Sequence, residues 1–178
     1  MIRKPLILAV AVVILGVVLS MMISKPTIKP MQPNFAFVFA YGWCETNRLD
    51  TIRGTYTKDL LTQPSSFVTI RLRLTGAEMF RIYRKMIQID FFGYPDAFTS
   101  SGPFWTFWQS KGIVTPAPEY RLMVRNGGQT KHLHWLDNVT APTSGQADRL
   151  RELMQLIQGV AEARPEVQHL PQRHGGCI

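Results

Sequence analysis

His132 and His134 are the best-placed chemical pair in this chain, two positions apart in a run that alternates like a strand. Such spacing puts both imidazoles on one face, where they could share a metal ion. A third ligand would have to come from Asp137, His174 or Cys177, and nothing in the spacing fixes that geometry. A solvent-facing pair of histidines is the plainer reading, so no metal and no cofactor are expected. Asp50, Asp90, Asp96 and Asp137 could supply paired carboxylates, but no pattern assigns them a common pocket. Asp90 and Asp96 flank a helix exit, where hydrogen bonding to local backbone N–H groups is the ordinary role of Asp. The chain has no phosphate loop, dinucleotide fingerprint, nucleophile elbow or His-Glu-x-x-His motif. The expectation is a protein that is not an enzyme.

Two surfaces are candidates for binding instead. Arg81, Arg84 and Lys85 lie on one side of an amphipathic helix, either as a solvated face or as a contact for anionic lipid or an acidic partner. Phe104, Trp105, Phe107 and Trp108 lie in a long Pro- and Gly-punctuated segment from Thr99 to Glu119. Segments of that length are either functional or unstructured, and the tryptophans argue against the second. They either form a binding lip or membrane-interface contact around Trp105, Phe107 and Trp108, or cover an open edge of the core.

Those residues need a scaffold, and it centres on Leu74 to Phe98. Thr75-Gly76-Ala77-Glu78 matches a capping box. Met79, Ile82, Tyr83 and Met86 then recur at helical spacing, with Ile87 and Ile89 widening the stripe. Gly93 is expected to take the left-handed conformation that stops the helix, and Pro95 prevents resumption. Ahead of it, Phe35, Phe37, Phe39 and Tyr41 alternate with Ala36, Val38 and Ala40, predicting a strand with an aromatic and a small-residue face. A weaker strand is expected around 51–59 after a turn region from Gly42 to Asp50. Phe67 to Leu74 alternates cleanly, with Val68, Ile70, Leu72 and Leu74 on one face. Beyond the long segment, 120–125 and 129–136 flank Asn126-Gly127-Gly128, a strong hairpin signal. A second helix enters at Thr143-Ser144-Gly145-Gln146, carries Leu150, Leu153, Met154, Ile157 and Ala161 on one stripe, and closes at Pro165. The fold class is therefore α+β, a mostly antiparallel sheet of about five strands with two helices on one face.

At the N-terminus, Leu6 to Ile23 is an uncharged run of eighteen residues, long enough as a helix to span roughly 27 Å of hydrocarbon. It is an uncleaved transmembrane anchor, a cleaved signal or a buried soluble helix, though nothing polar marks an outward face for the last. Its length and the lack of a small-x-small site beyond it favour the anchor. The division is 1–24 anchor, 25–33 Pro-rich linker and 34–178 a single domain. Of the formal charge of +8, half comes from Arg3, Lys4, Lys25 and Lys29 around that run. The remaining surface balance is ordinary, and with no basic cluster a nucleic-acid partner is not expected. A short tail ahead of the run favours a single-pass protein of the cell membrane with the body extracytoplasmic. In that compartment Cys44 and Cys177 either pair across a long loop or stay as unrelated thiols.

Tyr41-Gly42, Gly54-Thr55-Tyr56-Thr57-Lys58-Asp59, the Leu74 to Pro95 stretch, Trp135-x-Asp137 and Leu170-Pro171 ahead of Gly175-Gly176 together resemble a group of membrane-anchored extracytoplasmic proteins of spore-forming Gram-positive bacteria. The group is uncharacterised, and its shared motifs are structural in kind. The order of elements from 67–74 onward is also similar to that of emfourin-type inhibitors of metalloproteases, though the 99–119 segment and the anchor depart from that small soluble pattern. The uncharacterised group names no activity. The lack of a catalytic motif and the anchored body lead to the expectation of a non-enzymatic binding module for a protein or cell-envelope component. The emfourin-like layout implies the alternative, a protein inhibitor of a secreted protease.

Overall fold

The structure, a computed structural model, describes residues 30–42, 47–60, 66–99, 116–138 and 145–172. Contacts divide the chain into Met1–Pro30 and Met31–Ile178, and the elements below belong to the second unit. The apolar run at 6–23, the bulk of the linker, Cys44, Cys177 and the Trp105–Trp108 cluster lie outside the described residues. Among the described residues no helix is long and apolar enough to cross a membrane.

The strands are β1 (Ala36–Gly42), β2 (Asn47–Asp50), β3 (Thr55–Asp59), β4 (Phe67–Arg71), β5 (Ala97–Thr99), β6 (Glu119–Asn126) and β7 (Gln129–Leu136). They form one sheet in the order β4-β3-β2-β1-β6-β7-β5. Every neighbouring pair is antiparallel except β5 with β7, so the sheet is mixed. Among the described residues, seven strands replace the expected five. Asn47 to Asp50, read from sequence as part of a turn, is a strand, because both its neighbours supply ladder partners. Ala97 to Thr99 adds a three-residue edge beside β7.

Alternation fixes the two faces. Register aligns Ile70, Tyr56, Leu49, Phe39, Leu122 and Leu133 in a row across six strands. Phe37, Phe39, Leu49 and Trp135 are fully buried on that inner face. Helices α1 (Gly76–Gln88) and α2 (Gly145–Glu162) close over it. Ile82, Tyr83 and Met86 from α1 and Leu150, Leu153, Met154, Ile157 and Ala161 from α2 join the same core, as the helical spacing predicts. Phe35 meets the Tyr83 ring edge-on at 5.0 Å. A short third helix, α3 (Pro165–Gln168), adds Val167 to the core.

Local chemistry sets the element ends. The capping box forms as read: the Glu78 N–H donates to Thr75 Oγ1 at 3.2 Å, and the Thr75 N–H donates to the Glu78 carboxylate at 2.7 Å. The helix exit departs from expectation. Asp90, with φ of 55°, takes the left-handed conformation assigned to Gly93. Gly93 sits instead in a 3-10 turn, Phe91–Gly93, where an added Cβ would fall 2.7 Å from Asp90 Oδ2. Pro165 likewise does more than close α2; it occupies the first turn of α3, where its missing N–H costs nothing. In the β6–β7 hairpin Gly127 has φ of 62°, and the Asn34 side chain brackets it. The Gly127 N–H donates to Asn34 Oδ1 and Asn34 Nδ2 donates to the Gly127 carbonyl, both at 2.9 Å.

Two substitutions separate core from cap. Leu122→Ala, at the centre of the buried row, should lower unfolding free energy by about 2–5 kcal/mol. Thr75→Ala removes only a cap and should cost about 1 kcal/mol. Urea midpoints of the full chain would read both, and equal losses would contradict this layering.

Candidate functional site

Tyr41 is the last aromatic of the β1 stripe and the only one of the four with a hydroxyl. At that end of the sheet the core runs out and the hydroxyl needs partners. The Tyr41 hydroxyl donates to Glu162 Oε1 at 2.9 Å, and the Tyr56 hydroxyl lies 2.8 Å away. Since the Tyr41 proton is engaged by the carboxylate, Tyr56 is the donor in the second bond. Gln158, one turn before Glu162, donates its Nε2 to the same oxygen at 3.2 Å. Four side chains, from β1, β3 and the end of α2, thus form one polar knot at the rim of an aromatic core.

The knot floors an open cleft of about 830 Å³. Asn47 and Lys58 line one side, Gln168 and Gln172 the other, and Pro118 with Val167 give an apolar patch. Asn47 is nearly buried and accepts the Asp59 N–H at 3.3 Å, which closes the β2–β3 end.

Towards its middle, α2 is tied to the sheet by Arg151. Its Nε and one terminal nitrogen donate to the two oxygens of Asp137, each at 2.7 Å, a bidentate pair with Asp137 almost buried. The guanidinium also lies 5.7 Å from the Trp135 ring centre. The Asp137 carboxylate, through its hydrogen bonds, raises the Arg151 pKa above its ordinary value. At the other end of α2, the Tyr94 hydroxyl donates to the Gln146 carbonyl at 2.9 Å.

Burial, and after it Tyr56 and Glu162, pushes the Tyr41 hydroxyl far above the normal tyrosine range. Tyr41 therefore stays neutral at any physiological pH. Its hydroxyl is committed to Glu162 and Tyr56, so it organises the floor of the cleft and offers no phenolate for base or nucleophile chemistry.

The sequence candidates fall elsewhere. His132 and His134 do share a face, the outer one, away from both helices. His134 Nε2 is bonded to Glu119 Oε1, and the Asp96 carboxylate pairs with Lys131. Among the described residues no group of three His, Cys, Asp or Glu side chains could hold a metal. The four aspartates each have a separate local task. Asp50 Oδ1 accepts the Ile52 and Arg53 N–H groups at 3.1 and 2.9 Å, Asp90 makes the helix exit, Asp96 meets Lys131, and Asp137 meets Arg151. Arg81 and Arg84 are exposed on α1, while Lys85 turns to Glu152 of α2 and ties the helices together. A shallow hollow of about 270 Å³ lies against Arg81, Arg84 and Lys85. Trp105, Phe107 and Trp108 lie outside the described residues.

Sequence reasoning missed the cleft, because its parts come from residues 41, 56, 58, 158, 162 and 168. The one available signal was the change from Phe to Tyr at the end of the β1 stripe. No protein-family model matches the chain, and no curated protein matches it.

The raised tyrosines predict an alkaline limb of stability. Tyr94 and Tyr120 are also raised, chiefly by burial. In the unfolded chain these phenols ionise near pH 10, while the folded chain keeps their protons, so folding stability is full below about pH 10 and falls as pH rises above it. Tyr41→Phe should flatten that limb in urea titrations between pH 8 and 11.5. At pH 7 it should cost about 1–2 kcal/mol, by stranding the partners of its hydroxyl. An unchanged limb in Tyr41→Phe would remove Tyr41 from this role.

Proposed function

We propose that this protein is a membrane-tethered extracytoplasmic binding module without enzymatic activity, and that the cleft over Tyr41, Tyr56 and Glu162 is its recognition site. The observation that carries the reading is a cleft of about 830 Å³ floored by the Tyr41–Tyr56–Glu162 knot and lined by carboxamides, a composition suited to hydrogen-bonded recognition. The tether rests on the eighteen-residue uncharged run at 6–23 and the short tail ahead of it. The partner on this reading is a cell-envelope component or an envelope-bound protein.

Protease added to intact cells should digest the body of the chain, and full protection would place it on the other side of the membrane. Crosslinking in intact cells should recover a partner with the wild-type chain. Recovery should be lost in Lys58→Glu, which sets a second acid opposite Glu162. It should survive the double variant Arg81→Glu/Arg84→Glu. The reverse pattern would move recognition to the basic face of α1. Added at equimolar ratio to a secreted metalloprotease, the chain should leave the rate unchanged; inhibition would favour the protease-inhibitor alternative.

A further inference from the structure

We infer that the cleft takes a neutral saccharide, built from hydroxyl- and acetamido-bearing sugar units. The inference rests on the binding reading above and specifies its ligand. Three features of the cleft converge on it.

The first is charge. Among the described residues Lys58 is the cation lining the cleft and Glu162 its carboxylate, so these two cancel. A phosphate-rich or strongly acidic ligand calls for several convergent cations, usually with arginine forks. The arginines Arg48 and Arg121 stand on the outer sheet face, away from this cleft.

The second is the type of polar group. Asn47, Gln158, Gln168 and Gln172 each carry a carboxamide, and a carboxamide both donates and accepts, as a hydroxyl does. A sugar hydroxyl also donates and accepts at once, and an acetamido group repeats the carboxamide itself. Groups for both roles stand ready. Glu162 Oε1 takes Tyr41 and Gln158, while Oε2 makes no hydrogen bond to the described residues. The Lys58 ammonium likewise makes no ion pair with them. Pro118 and Val167 supply the apolar patch against which the C–H face of a sugar ring would lie.

The third is what the cleft lacks for a peptide. Extended peptides are captured chiefly by adding a strand to a free sheet edge. The strands that line the cleft are β1, β2, β3 and β6, and each has a neighbour on both sides. The edges are β4 and β5. Recognition here falls to side chains, and those side chains match hydroxyls and amides.

The test is isothermal titration of the full chain in detergent micelles with the β-1,4-linked tetramer of N-acetylglucosamine. Inorganic phosphate and an acidic decapeptide serve as parallel probes. The tetramer should bind saturably, and neither of the others should. Gln168 and Gln172 are exposed, so the double variant Gln168→Ala/Gln172→Ala should fold normally. It should weaken tetramer binding by about tenfold, the loss of two neutral hydrogen bonds. Lys58→Ala should weaken it as well. Unchanged affinity in both variants would put the sugar elsewhere and overturn the inference. So would saturation by phosphate or peptide in place of the tetramer. If the tetramer fails while a crosslinked partner is still recovered by wild type and lost in Gln168→Ala/Gln172→Ala, the saccharide is refuted and recognition at the cleft stands. If neither is seen, both fail.

Discussion

The alternation along β1 is the constraint on which everything else here depends. β1 lies at the centre of the sheet, paired with β2 on one side and β6 on the other. Its inward residues are Phe37, Phe39 and Tyr41, continued backwards by Phe35, and its outward residues are Ala36, Val38, Ala40 and Gly42. A slip of one residue would send three rings into solvent and bring alanines to the core. The register is thereby fixed, and the long row from Ile70 to Leu133 follows from it. The rings stack along the strand and across it, Phe39 on Tyr41 at 4.9 Å and on Tyr120 at 6.2 Å. The helices have one surface to cover, and both cover it.

The same stripe explains why the cleft lies where it does. Its last ring carries a hydroxyl, which a dry core cannot leave unbonded. Glu162 can meet that hydroxyl only if α2 lies at a fixed height over the sheet. Arg151, clamped on Asp137 just beyond β7, sets that height from the middle of the helix. The bond to Asp137 is short, bidentate and mostly shielded, so it directs the helix more tightly than an exposed ion pair would. Position of the cleft is thus a product of strand register and one helix clamp.

Much of the scaffold is legible in sequence because it is periodic. The β1 alternation, the helical stripes, the capping box at Thr75 and the Asn-Gly turn each declare themselves within a dozen residues. The two strands that escape reading do so for physical reasons. Asn47-Arg48-Leu49-Asp50 has one apolar residue, and its strand character comes from β1 and β3 beside it. β5 is three residues long and is held by a parallel pairing whose partner lies more than thirty positions away. At the helix exit a glycine is the obvious left-handed residue, yet Asp90 takes that conformation and Gly93 is needed for close approach. The His132–His134 pair was correctly placed on one face by period alone, and its partner Glu119 was not foreseeable. The cleft is the least legible part, since long-range pairing brings residues near 41, 56, 118 and 162 together in it.

The order in which the sheet is threaded matters for a chain made from its N-terminus. β1 through β4 form a meander that can pair as soon as it emerges. The other flank of β1 must wait for β6, some eighty residues later, and its aromatic face must wait for α2. In the interval α1 can bring Tyr83 to Phe35, but Tyr41 still lacks Glu162 of α2, and the aromatic stripe lies next to an unfilled strand edge. Exposed rings beside an open edge are a combination that self-associates. Release of the chain before residue 119 would leave that half-sheet stranded, and release before residue 162 would leave the Tyr41 end of its inner face without Glu162. The protein therefore has a built-in dependence on late, C-terminal completion, and truncations from that end should be far less soluble than their length suggests.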